Sequence, residues 1–176
     1  MTKEKLPPED QAIWEEMSGG RPRLPLVTEI LMYRPKIAKL SEDLSRAVRA
    51  DTSLDRRTVE FIILIVAREL NCLREWSVHI NQARNAGVSE ETLEAIKGRK
   101  APDRLTGDEK LLATFTCEIL HQYRVSTQTF EAVRVKLGDI GVIDLSELIG
   151  HYSALAVVMN AFEVEPPDDP ALLLPV

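Results

Sequence analysis

The sequence predicts an all-α protein. No stretch alternates apolar and polar residues with period two for long enough to make a convincing strand. Apolar residues instead recur three or four apart, and Pro and Gly punctuate the gaps between these segments. The run Phe61-Ile-Ile-Leu-Ile-Val-Ala67 is apolar on every side of a helix, which marks a segment buried all round. The rest of the chain is organised around it.

Taken in order, Glu9 to Met17 has a short helical pattern closed by Gly19-Gly20. Arg21-Pro-Arg-Leu-Pro25 cannot continue a helix, because each proline lacks an amide donor. Leu26 to Tyr33 reads as a short helix stopped before Pro35. Lys36 to Arg49 is amphipathic, with Ile37, Leu40, Leu44 and Val48 on one face. Thr52, Ser53 or Asp55 can cap the next helix, Arg56 to Leu70, by accepting from its free amides. Asn71 interrupts or caps, and a second helix follows from Cys72 to Ala86.

Gly87 suits a left-handed C-cap, and Ser89 opens a short helix. Residues 98–107 read as a polar loop containing Pro102. Asp108 to Tyr123 is a helix with Leu111, Leu112, Phe115, Ile119 and Leu120 on its apolar side. Ser126 caps a helix to Leu137, ended by Gly138, and Asp144 or Ser146 starts a long apolar helix to about Phe162. The tail carries Pro166, Pro167, Pro170 and Pro175 and is expected to be disordered or draped on a neighbour.

With 176 residues, 44% hydrophobic and 28% charged, the chain is long enough to bury a sizeable core in one domain. Its net charge of −6 argues against a nucleic-acid partner, which would need a basic face. The start, Met-Thr-Lys-Glu-Lys-Leu-Pro-Pro, does not resemble a signal peptide. Phe61 to Ala67 is far too short for a membrane span, and no other stretch is read as one. Two cysteines, Cys72 and Cys117, make no disulfide framework, so a reducing cytoplasm is the expected compartment.

The chemistry gathers just after the apolar run. Cys72, Glu75 and His79 stand at i, i+3 and i+7, within an arc of roughly 60° on one helical face. Trp76 and Ala83 extend that face, so it is expected to point inward. Glu60 precedes the apolar run; its bland reading is an acidic first-turn residue that favours the helix dipole, whereas burial would raise its pKa and suit it to proton transfer. A Glu–His pair at i, i+4 is commonly just a surface pair. On an inward face it holds an imidazole in place for acid/base work.

Arg57-x2-Glu60, Cys72-x2-Glu75-Trp76-x2-His79 and Ala86-Gly87-Val88-Ser89 together resemble the carboxymuconolactone decarboxylase and alkylhydroperoxidase D superfamily. The redox branch has a Glu twelve residues before a Cys-x-x-Cys and a His four after the second Cys. Glu60, Cys72 and His79 fall on that pattern, but Glu75 holds the second Cys position and Arg74 stands where another His is often found. The decarboxylases resemble this chain in Glu75-x3-His79 and generally lack the Cys.

The resemblance implies a compact helical bundle of the alkylhydroperoxidase D-like type. It would occupy residues 25–165, between an N-terminal arm with a short helix, 1–24, and a Pro-rich tail, 166–176. It also implies a homotrimer or a hexamer built from trimers, with pockets near subunit contacts.

Glu60, Cys72, Glu75 and His79 are the expected catalytic residues. Arg74 is a candidate fork for a substrate carboxylate, and Trp76, His151 and Tyr152 are candidate pocket residues. Cys72 sits at a helix N-terminus, where dipole and free amides favour a thiolate, although a lone Cys is usually a small buried hydrophobe. Cys117 reads as packing. Glu60, Cys72, Glu75 and His79 lack the spacings of strong metal sites, so neither metal nor cofactor is expected.

The leading expectation is a cofactor-free, decarboxylase-like lyase acting on a small organic acid, lactone or carbonyl compound. The alternatives are a thiol peroxidase using Cys72 without an internal resolving Cys, and a non-catalytic helical oligomer.

Overall fold

The computed structural model describes residues 2–169 and Leu174. Most of the last part of the expected tail, including Pro170 and Pro175, therefore lies outside the described residues. Among the described residues the chain is all-α, with no strand. They group into two compact units, Met1–Asp51 and Thr52–Val176. The boundary falls in the turn before Leu54, not at the Pro-rich break of residues 21–25.

The first unit holds a 3-10 turn, Lys3–Lys5, then α1 (Pro8–Ser18), α2 (Leu26–Leu31) and α3 (Pro35–Ala50). Pro8 and Pro35 each open a helix, where a missing amide costs nothing and the fixed φ is already helical. Gly19 ends α1 at φ 54°, in the left-handed region. Leu6, Trp14, Met17, Leu24, Met32 and Ala38 form the unit's core. The amphipathic reading of α3 is only partly met, since Val48 and Ala38 are buried but Ile37, Leu40 and Leu44 are exposed. Periodicity finds an apolar face but does not say what covers it.

In the second unit α4 (Arg56–Glu69) is the central helix, packed against α5 (Leu73–Asn85), α8 (Gly107–Gln122) and α9 (Thr127–Ala161). Asp55 is its N-cap, accepting from Thr58 N at 2.7 Å. Ser53, the other capping candidate, instead donates from its backbone N and Oγ to Asp144 Oδ2 at 2.7 and 2.6 Å. Val59 to Ala67 are all buried, and each large aliphatic side chain fully buried there contributes about 1.5–3 kcal/mol. Asn71 takes φ 51°, and Cys72 N donates back to Ala67 O at 2.8 Å. This left-handed cap ends α4 and lets α5 begin immediately, packed antiparallel in sequence sense on the same core.

Ser89 caps α6 (Glu90–Lys97) and Ser126 caps α9, each accepting from the amide three residues on. Two boundaries differ from the expectation. Residues 98–107 are not all loop, because α7 (Ala101–Arg104) forms one turn with Pro102 in its first turn and Ala101 buried. Beyond Gly138 the chain turns helical at once, not at Asp144 or Ser146. Gly138, at φ 71° and ψ 174°, separates two abutting limbs of α9. Asp144, free of capping duty, ties α9 to the turn before α4.

The expectation that no stretch approaches membrane-span length overlooked α9. Its 35 residues include an 18-residue window of mean hydropathy 1.4, apolar enough to cross a membrane by length and composition alone. Half of that window is buried inside the protein. Leu145, Leu148, Ile149, Tyr152, Leu155, Ala156 and Met159 supply its buried side, while Ile140, Ile143 and Val157 are exposed.

Candidate active site

Three side chains from α4 and α5 meet in the interior of the second unit. His79 Nδ1 lies 2.7 Å from Glu60 Oε2, across two helices. On the other edge of the ring, Nε2 lies 3.2 Å from Glu75 Oε2. That carboxylate oxygen is buried within hydrogen-bonding distance of Nε2 but out of good alignment, and its charge holds the imidazolium on that side. Glu60 is 0% exposed and His79 3%. A carboxylate this deep persists as an anion only beside opposite charge.

Arg56 supplies the second cation. Its Nη2 lies 2.6 Å from Glu60 Oε1, one turn earlier on α4, and also donates to Gln82 Oε1 on α5 at 2.8 Å. The guanidinium is half exposed, so it joins the buried group to the surface. Two carboxylates, one imidazolium and one guanidinium sum to zero. Sequence reasoning missed Arg56, although its i, i+4 spacing from Glu60 was a usable signal. Arg57, quoted in the motif, turns elsewhere: it donates to Gly87 O at 3.1 Å and pairs with Glu109.

Burial by itself disfavours the imidazolium of His79, but the hydrogen-bonding contacts with Glu60 and then Glu75, and the attraction of both carboxylates, outweigh it. The net effect is a pKa raised above the ordinary histidine value. Tyr152, from the second limb of α9, meets the His79 ring edge to face, with centroids 5.3 Å apart and planes at 87°. His151 makes the same kind of contact with Tyr152 at 5.5 Å. Both are buried, as is Trp76, a packed core side chain on α5.

Cys72 is the N-cap of α5 and 1% exposed. The expected thiolate is not favoured there. Burial pushes the thiol up to about 11, and the charge of Glu75 adds to the rise. The backbone amides of Glu75 and Arg74 pull the other way, as the helix-end argument required, but the Cys72 side chain makes no cap hydrogen bond and they only soften that rise. Cys117 is pushed further, to about 12, by burial and then by Glu69. Arg74 is partly buried in the first turn of α5, and among the described residues its guanidinium forms no ion pair.

The sequence from residue 35 to residue 115 matches the Carboxymuconolactone decarboxylase family. The matched segment of this family contains Arg56, Glu60, Cys72, Arg74, Glu75, Trp76 and His79, whereas His151 and Tyr152 lie outside it. No curated protein matches the chain. Among the described residues no group of His, Cys, Asp and Glu is arranged to hold a metal ion. The carboxymuconolactone decarboxylase match thus covers Glu60, Glu75 and His79, and α9 adds Tyr152 from outside it.

Proposed function

We propose that the chain is a carboxymuconolactone decarboxylase-like lyase that acts on a small lactone acid or related carbonyl compound, with His79 as the proton donor. The observation that carries this reading is the buried Glu60–His79–Glu75 row, with Glu60 on Nδ1 at 2.7 Å and Glu75 3.2 Å from Nε2, an arrangement that holds the imidazole charged. In a lactone acid, breaking the bond to the carboxylate releases carbon dioxide and leaves the electron pair in a dienolate. The imidazolium delivers a proton from Nε2 to carbon and is reprotonated from water, so neither metal nor redox cofactor enters the balance. Arg74, on the first turn of α5 and without an ion pair among the described residues, is the proposed anchor for the leaving carboxylate, and a desolvated interior makes each charge worth more than in water. The test is a screen of lactone acids and peroxides against wild type and His79→Gln. Product formation by both proteins at the same rate removes the reading.

A thiol peroxidase is the second reading, and the raised pKa of Cys72 weighs against it. At neutral pH the buried thiol is almost wholly protonated, while the thiolate is the form that attacks peroxide. Alkylation of Cys72 by iodoacetamide at pH 7 is therefore expected to be slower than that of a free cysteine. Peroxide consumption should be weak and insensitive to Cys72→Ser. Fast thiol-dependent turnover lost in Cys72→Ser would reverse the order of the two readings.

The same family reading takes the protein as a homotrimer, or a hexamer of trimers, and its two free cysteines suit a reducing cytoplasm. Two outward apolar rows support assembly: Tyr33, Ile37, Leu40 and Leu44 along α2–α3, and Ile140, Ile143 and Val157 along α9. Sedimentation velocity should give a closed oligomer at micromolar concentration, and Leu40→Glu with Ile143→Glu should shift it towards monomer. A wild-type protein that sediments as monomer ends this part of the proposal.

A further inference from the structure

The end of α4 remote from Arg56 carries a second charged group with a different character. Arg68 donates from Nη1 to Asn71 Oδ1 at 3.0 Å, and Arg99 donates from Nη2 to the same oxygen at 2.6 Å. Two guanidiniums thus converge on one neutral acceptor. Both also cap carbonyls: Arg68 Nε reaches Lys97 O at 2.7 Å, and Arg99 Nη2 reaches Arg68 O at 3.3 Å. Among the described residues neither forms an ion pair with a carboxylate, although Glu69 is adjacent in the chain. Glu69 is engaged by His121 at 2.9 Å.

Capping accounts for only part of this arrangement. The two guanidiniums cap different helices, Arg99 the end of α4 and Arg68 the end of α6, and each end presents about half a negative charge, so about one positive charge is left over. That surplus stands in a protein whose net charge is −6. Lys100, with no ion pair among the described residues, follows directly on Arg99. Asn71 and Arg99 both sit in the left-handed region, at φ 51° and 54°, which a side chain other than Gly adopts at some cost. Burial and then the charge of Arg99 lower the pKa of Arg68, against a smaller opposing pull from Glu69. The group is held together under mutual repulsion.

We propose that Arg68 and Arg99, positioned by Asn71, form a binding site for a phosphate-type oxyanion, either free phosphate or a phosphomonoester. An anion seated between the two planes would accept from Arg68 Nη2 and from the unshared edge of Arg99, and would cancel the repulsion. Planar forks of this kind match tetrahedral oxyanions with paired hydrogen bonds. Lys100 supplies a flexible third cation.

Isothermal titration calorimetry at constant ionic strength tests the site, using inorganic phosphate, glycerol 3-phosphate and malonate as probes. Wild type should bind phosphate saturably. Arg99→Gln should weaken that binding roughly tenfold or more, the equivalent of one charge-assisted hydrogen bond. Arg99→Lys, which keeps the charge but loses the fork, should fall between the two. Tighter binding of glycerol 3-phosphate assigns a phosphomonoester, and equal binding assigns free phosphate. His79→Gln should bind phosphate as wild type does, which keeps this site separate from the fate of the proposed lyase activity. Unchanged phosphate affinity in Arg99→Gln overturns the proposal. So does malonate binding as well as phosphate, or wild type that fails to saturate at concentrations on the order of tens of millimolar.

Discussion

His79→Gln is expected to lower kcat on the true substrate by about 10²–10⁴-fold, the usual contribution of a positioned acid or base. The glutamine amide can still donate to Glu60, so the helices should keep their packing, but it has no proton to give to carbon. KM should change little, because Arg74 and Tyr152 are untouched. Glu75→Gln should do less harm: it removes the charge beside Nε2 and keeps the imidazole. Steady-state kinetics on matched, folded samples, checked by circular dichroism, decide the matter. Full activity in His79→Gln would make the row structural and leave the chemistry to other residues.

His79→Ala is a different experiment, because it strands Glu60. With the imidazole gone, the fully buried carboxylate keeps only the half-exposed Arg56, and breaking a buried pair in this way costs about 3–5 kcal/mol. Glu60→Gln combined with His79→Ala should recover much of that loss, since a neutral amide is easier to bury than an unpaired charge. A double-mutant cycle by urea unfolding measures the coupling. The raised pKa of His79 also sets a sign. Its stabilisation is complete below the unfolded histidine value of about 6.5 and is lost as pH rises through the higher folded value. The stability advantage of wild type over His79→Gln should therefore shrink from about pH 6.5 upward. Parallel pH profiles, or His79→Ala as stable as the double variant, would contradict the charge-balanced group.

The burial of α4 was legible because Phe61 to Ala67 leave no polar side to face water. Asp55, Ser89 and Ser126 were legible as caps because short oxygen-bearing side chains stand just before periodic apolar runs. The Glu75–His79 pair was readable from one helical turn. The 2.7 Å contact between Glu60 and His79 was not, because it bridges two helices and depends on how they pack. Arg56 and Arg57 both stand one turn before Glu60, and only the packing of α5 decides which of the two guanidiniums meets it. The state of Cys72 turned on two opposed effects at the same atom, helix-end amides and burial, and spacing says nothing of their relative size. Nor could a lone glycine reveal that the limbs of α9 abut at Gly138 with no intervening loop.

Tyr152 lies far along the chain from the residues it borders and outside the family match, yet its ring meets the edge of His79. Glu60, Glu75 and His79 all sit on the consecutive pair α4–α5, while this boundary is lent by a separate helix. Chemistry and fit are thereby written in different stretches of one gene. In the proposed lyase, substitution at His151 or Tyr152 would reshape what is admitted while the Glu60–His79–Glu75 row stays intact.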